Sequence, residues 1–156
     1  MQASHEAYMR EAIREAQEAA RRGEVPVGAI IVREGKIVAR ARNVREESGD
    51  PTSHAEMEAM RMASKRLGGW YLHGCTMYVT LEPCPMCAGA LMQARLDALY
   101  YGAYDLKAGC CGTLYNLPED VRFPHRLRVT GGVLANECAA LLKGFFVARR
   151  VRRSQE

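Results

Sequence analysis

The sequence has no apolar run long enough to cross a bilayer. Its longest, such as residues 25–32, falls far short of the roughly 20 residues a spanning helix needs. The opening Met1-Gln2-Ala3-Ser4-His5-Glu6 lacks the basic-then-apolar layout of a signal peptide. Internal repeats, linkers and low-complexity stretches are missing too. A strong excess of one charge is also absent. The formal net charge of +4 permits a nucleic-acid partner without demanding one. These absences predict a cytoplasmic chain with no membrane partner. At 156 residues, with 48% hydrophobic and 26% charged residues, it fits one folded domain over 1–156. Six cysteines are present, but without a secretory signal they do not read as a disulfide scaffold, because cytosolic thiols stay reduced. Metal binding or burial explains them better.

Hydrophobic periodicity supplies the elements. Residues 5–22 place Tyr8/Met9, Ala12/Ile13, Ala16 and Ala19/Ala20 on one helical face, and Gly23 ends the pattern. Two β-rich runs follow at 26–32 and 37–42, with Arg33-Glu34-Gly35-Lys36 as a hairpin turn between them. Residues 44–52 read as a loop broken by Gly49 and Pro51. A helix is expected over 54–67, stopped by Gly68-Gly69. Then come a strand at 75–80, a loop-to-helix transition at 83–95 and a strand at 97–101. After a glycine-containing loop, a short strand at 127–130 precedes a last helix from 134 to about 150. Its apolar face is expected to carry Ala139, Leu142, Phe145 and Phe146. The order α-β-β-α-β-α-β-(β)-α predicts a three-layer α/β domain. Its sheet should hold an antiparallel hairpin first and parallel crossovers later.

Two short segments carry the chemistry: Ser53-His54-Ala55-Glu56 and Leu81-Glu82-Pro83-Cys84-Pro85-Met86-Cys87. Cys84 and Cys87, three apart, share a helix face, and Pro85 suits a first helical turn. The unpaired N–H groups and positive dipole end there favour thiolates. His54 and Glu56 are two apart and can serve one site only in a first turn, where side chains lean back toward the N-terminus. His54, Cys84 and Cys87 would leave the fourth position of a zinc ion open, which is the catalytic pattern. Glu56, close but unbound, would carry protons. Plainer readings compete. Ser53-x-x-Glu56 is also a capping box, and a lone Cys-x-x-Cys can be a redox pair or part of a structural zinc knot. Cys75 and Cys138 sit in core-like patterns. Cys110-Cys111 could complete a closed Cys-rich site, although adjacent cysteines rarely both reach one metal.

The order His54-Ala55-Glu56, then Pro83-Cys84-Pro85-Met86-Cys87, resembles the signature of the zinc-dependent nucleoside and nucleobase deaminases. Further segments are similar to the bacterial tRNA-specific adenosine deaminases. They are Glu24-Val25-Pro26-Val27-Gly28-Ala29, Asp50-Pro51-Thr52-Ser53, Gly102-Ala103-Tyr104-Asp105-Leu106-Lys107 and Glu137-Cys138-Ala139-Ala140-Leu141-Leu142. The resemblance spans about residues 6–150. It implies a cytidine deaminase-like α/β/α sandwich with a five-stranded mixed sheet, one zinc ion per subunit and a homodimer. The implied reaction is adenosine to inosine at the first anticodon position of an arginine tRNA, with Glu56 as proton shuttle. By the same resemblance Asn43 binds the base, Asp105 and Lys107 meet the anticodon stem-loop, and Phe145 and Arg149 lie near the RNA. Arg149, Arg150, Arg152 and Arg153 form a basic tail suited to phosphates. Two residues depart from the family pattern: Pro124 stands where an asparagine is usual, and Tyr104 where an arginine is frequent. Two other functions remain in play, a zinc deaminase of a free base such as guanine and a non-enzymatic zinc-stabilised RNA-binding module.

Overall fold

The computed structural model describes residues 3–155. Helix α1 (His5–Arg21) opens at Ser4, whose hydroxyl accepts the Ala7 N–H at 3.1 Å. This N-cap satisfies one of the donors a helix start leaves free. Strands β1 (Gly28–Arg33) and β2 (Lys36–Arg42) form the expected hairpin. Its turn residues Glu34 and Gly35 have φ of 51° and 74°, the pair of positive angles whose twist suits two flanking strands. Then follow α2 (Arg45–Ser48), α3 (Ala55–Leu67), β3 (Cys75–Leu81), α4 (Pro85–Ala94), β4 (Ala98–Ala103), β5 (Arg128–Thr130) and α5 (Ala135–Ser154).

The sheet order is β2-β1-β3-β4-β5. β1 runs antiparallel to both β2 and β3, whereas β3, β4 and β5 are parallel. Successive side chains of a strand point to opposite faces, and β1 divides its residues accordingly. Ala29 and Ile31 pack with Ala55, Ala59, Met60 and Leu91 of α3 and α4. Ile30 and Val32 pack with Tyr8, Met9, Ala12 and Cys138 of α1 and α5. Both faces are therefore buried, as the apolar run at 26–32 requires. Among the described residues no helix is long and apolar enough to cross a membrane.

Several boundaries differ from the sequence reading. The stretch expected as loop at 44–52 contains α2, because the buried Glu24 carboxylate accepts the N–H groups of Glu46 and Glu47 at 3.0 and 2.7 Å. α5 continues to Ser154, since no Gly or Pro follows Arg150 to stop it. Its inward side chains are Cys138, Leu141, Leu142 and Phe145, whereas Ala139 and Phe146 are exposed. Leu142 and Phe145 of the expected face thus point inward, whereas Ala139 and Phe146 do not. A one-turn 3-10 helix, Leu117–Glu119, also lies within the long loop before β5.

Gly28 lets α1 rest directly on β1. A Cβ there would overlap the Ala12 carbonyl oxygen, stand 2.5 Å from Ala16 N and 2.8 Å from Glu15 Cβ. The obstacle is helix backbone, which cannot swing aside. Gly28→Ala is expected to lower stability by about 2–3 kcal/mol, at the upper end of ordinary overpacking costs. Guanidinium unfolding measures it, and an unchanged midpoint would show that α1 tolerates displacement.

Candidate metal centre and catalytic pocket

The centre forms where the starts of α3 and α4 meet, at the end of β3. His54 is the N-cap of α3, extended at φ −69° and ψ 155°, and not a member of its first turn. That corrects the expected helix start and resolves the spacing problem. An N-cap side chain projects off the helix end, so His54 and Glu56 need not share a helical face. It also sets aside the capping box, because the N-cap is His54, which makes no side-chain cap hydrogen bond. The turn before it is held by Asp50, whose Oδ1 accepts from the Thr52 N–H at 2.8 Å and hydroxyl at 2.7 Å. Cys84 is likewise the N-cap of α4, with Pro85 following in the first turn and Cys87 buried one step further.

The three ligand atoms converge. His54 Nδ1 lies 3.7 Å from Cys84 Sγ and 3.6 Å from Cys87 Sγ. Tetrahedral zinc with its usual bonds to nitrogen and sulfur sets N···S at about 3.6 Å. The geometry fits zinc, and one imidazole with two thiols is a zinc donor set. Among the described residues this trio is the one group of three or more such side chains close enough to share an ion. Cys110 and Cys111 are buried but lie outside it, which removes the closed Cys-rich reading. Cys75 and Cys138 are buried in the two cores, as expected.

Electrostatics sort the groups. The Cys84 thiol is pulled down to about 4, chiefly by its hydrogen bond with Cys87 and further by His54. The same bond and burial push Cys87 up. His54 is raised, first through its hydrogen bond with Cys84. Glu56, 4% exposed, is pushed up to about 7 by burial. A carboxyl poised there can both take and give a proton near neutrality.

These groups open into a cavity of about 180 Å³, lined by Asn43, His54, Glu56, Glu82, Cys84 and Asp105 among others. That is below the roughly 300–1,000 Å³ of drug-sized pockets, so it suits one small planar group. A larger apolar groove of about 720 Å³ runs between α3 and α4 beside Trp70, and none of the three metal-type ligands lines it.

Of the remaining candidate residues, Asn43 and Asp105 line the small cavity, whereas Lys107, Phe145 and Arg149 line neighbouring ones. Asn43 is buried. Its amide donates to the Val25 carbonyl at 3.2 Å, and its Oδ1 accepts the Arg45 N–H at 3.1 Å. Asn43 also lines a second, polar cavity of about 490 Å³ with Arg45, Phe145, Arg149, Arg152 and Arg153. Lys107 faces Arg149, Arg150 and Arg153 across a neighbouring depression. Phe145 is buried, as helical spacing allowed, yet it lines the basic cavity. Asp105 turns its carboxylate onto its own loop, accepting the N–H groups of Lys107 and Ala108 at 3.0 and 3.1 Å. Of the two departures, Tyr104 is exposed and meets Tyr101 edge-on, while Pro124 precedes His125, whose Nε2 donates to the Leu96 carbonyl at 2.9 Å. Glu82, which carries no signal of a role in the sequence, is buried and also lines the small cavity.

Comparison with known proteins agrees with this geometry. The model of the MafB19-like deaminases matches residues 3–150. A tRNA-specific adenosine deaminase of Bacillus subtilis (strain 168) is 50% identical over 97% of this chain and 92% of its own. A solved tRNA:A34 deaminase superposes with a TM-score of 0.84 at 41% identity, covering 87% of this chain and 99% of that one. A guanine deaminase from Bacillus subtilis is 42% identical with a TM-score of 0.63, over 65% of this chain and 66% of its own. A catalytic-type donor trio, a buried carboxylic acid beside it and likeness along nearly the whole chain lead to one conclusion: this is a hydrolytic deaminase of the MafB19-like family, and it belongs to the tRNA-specific adenosine deaminases.

Proposed function

We propose that the protein converts adenosine to inosine at the first anticodon position of an arginine tRNA. In this reading it holds one zinc ion per subunit through His54, Cys84 and Cys87 and works as a cytoplasmic homodimer. The observation that carries the substrate reading is the junction at Asn43. A cavity sized for one base opens there beside an arginine-lined groove. A base entering the first would lay its phosphates along the second. The homodimer and the cytoplasmic setting rest on the family resemblance.

Held by His54, Cys84 and Cys87, zinc would supply the Lewis acidity that makes water a nucleophile near neutral pH. The chain supplies the rest. Glu56 accepts a proton from the attacking water, passes it to N1 of the adenine, and assists the exocyclic nitrogen of C6 to leave as ammonia. C6 gains one oxygen and loses one nitrogen, so adenosine and water become inosine and ammonia. Asn43 uses one amide hydrogen and one lone pair of Oδ1 on the backbone. Its second hydrogen and second lone pair remain for a purine edge. Arg149, Lys107 and the neighbouring arginines attract the phosphates. An anticodon loop is already single-stranded, which lowers the cost of extruding the base.

The likeness to a guanine deaminase makes a free base the second reading. A free base would have no use for the arginine groove. Incubation of the zinc-loaded protein with arginine tRNA bearing an ACG anticodon, and separately with guanine, distinguishes the two. Inosine in the nuclease digest with guanine unchanged is the expected result. Rapid guanine turnover with no inosine in the tRNA would overturn the proposal.

A further inference from the structure

We propose that Glu82 is a positioning residue, which clamps the loop carrying Asp105 to the segment carrying Cys84 and so sets the wall of the substrate cavity. This inference rests on the tRNA deaminase reading above. Glu82 is 1% exposed, yet its carboxylate has no cation partner among the described residues. Its partners are all neutral donors from residues 105–113. Oε1 accepts the Asp105 N–H at 3.1 Å and the Thr113 hydroxyl. Oε2 accepts the N–H groups of Cys111 at 3.1 Å and Thr113 at 2.9 Å.

A buried carboxylate must be met by hydrogen bonds, and here one loop meets it from both ends. The loop is in turn fixed, because those N–H groups point inward at Glu82. Gly109 shows how close the two lie. A Cβ at that position would overlap Glu82 Cδ and come within 2.5 Å of Oε2.

The other end of the clamp is the metal segment. The Glu82 N–H donates to the Ala103 carbonyl at 2.9 Å, and the Cys110 N–H donates to the Pro83 carbonyl at 2.9 Å. Cys84 follows two residues after Glu82, and Asp105 and Ala108 form the cavity wall facing it. The distance between the ligand segment and that wall is therefore held by Glu82. A glutamine in its place has nearly the same shape. Its NH₂, however, would confront N–H donors where an acceptor is required, and part of the loop would swing away.

The test is steady-state kinetics on arginine tRNA with zinc content and thermal unfolding measured on the same samples, for the wild type, Glu82→Gln and Thr113→Val. Glu82→Gln is expected to keep one zinc per chain and raise KM about tenfold or more, with kcat changed less than about threefold. Thr113→Val, which deletes only the hydroxyl donor, should raise KM about two- to threefold. An unchanged KM in a zinc-loaded, folded Glu82→Gln protein overturns the inference. So does a loss confined to kcat or to zinc, which would put the role at the metal instead. If Glu82→Gln does not fold, Thr113→Val decides, and an unchanged KM there overturns it. Failure of the wild type to make inosine would instead refute the substrate reading on which the inference rests.

Discussion

Glu56→Ala is expected to lower kcat for deamination by about 10³–10⁴-fold, toward the top of the range for losing a general acid–base group. Zinc content should stay at one per chain. Both halves follow from the same geometry. Glu56 lies in the first turn of α3, two residues from His54, and lines the cavity with it. It stands outside the trio of ligand atoms, so its removal takes no donor from the metal. Burial raises its carboxyl to about 7, so protonated and ionised forms are both populated near neutral pH. The proton shuttle proposed for Glu56 needs that balance. Glu56→Gln, which keeps the shape and removes the proton transfer, should be nearly as slow. Zinc analysis and single-turnover kinetics check the pair, and loss of zinc from either variant would mean that Glu56 is itself a ligand.

Cys87→Ala should act at the other end of the mechanism, with loss of bound zinc and deamination reduced to the buffer rate. Cys87 is fully buried in the first turn of α4, with its sulfur 3.6 Å from His54 Nδ1. A catalytic-type site has three protein ligands, and removing one leaves two, too few to retain the ion against chelation. Cys110→Ala provides the contrast. Cys110 is equally buried and equally a thiol, but it lies outside the ligand trio. It is expected to keep zinc and most activity, with a modest loss of stability from the missing side-chain volume. Atomic absorption on both proteins separates the cases. Loss of zinc from Cys110→Ala would revive the closed Cys-rich site.

Much of this architecture is legible in the sequence because its elements are strongly periodic. The 3.6-residue stripe of α1, the apolar run of β1 and the Gly-terminated α3 each announce themselves locally. The candidate metal trio is legible for a different reason. Cys84-x-x-Cys87 after Pro83, preceded at a distance by His54-x-Glu56, combines residue types that seldom occur together without chemistry.

What escapes the sequence are interactions between segments far apart in the chain. Glu24 reaches across 22 and 23 residues to cap α2, and Glu82 across 23 to 31 to gather its loop. Neither carboxylate has a local signature, since an isolated Glu beside a strand usually stays in solvent. The status of His54 as N-cap is also a matter of one ψ angle, which no spacing rule resolves. On α5 the error has another source. Phe146 and Ala139 are apolar by type, but the helix turns them outward because Cys138, Leu142 and Phe145 already fill the contact with the protein body.

The central claim is that the His54, Cys84 and Cys87 centre, with Glu56 beside it, acts on an adenosine presented by tRNA. The most direct measurement is position-resolved mapping of inosine in arginine tRNA with an ACG anticodon after incubation with the zinc-loaded protein. Inosine at the first anticodon nucleotide, at no other adenosine, and abolished by chelation is the predicted result. An unmodified anticodon, or inosine scattered among the other adenosines, would contradict the account.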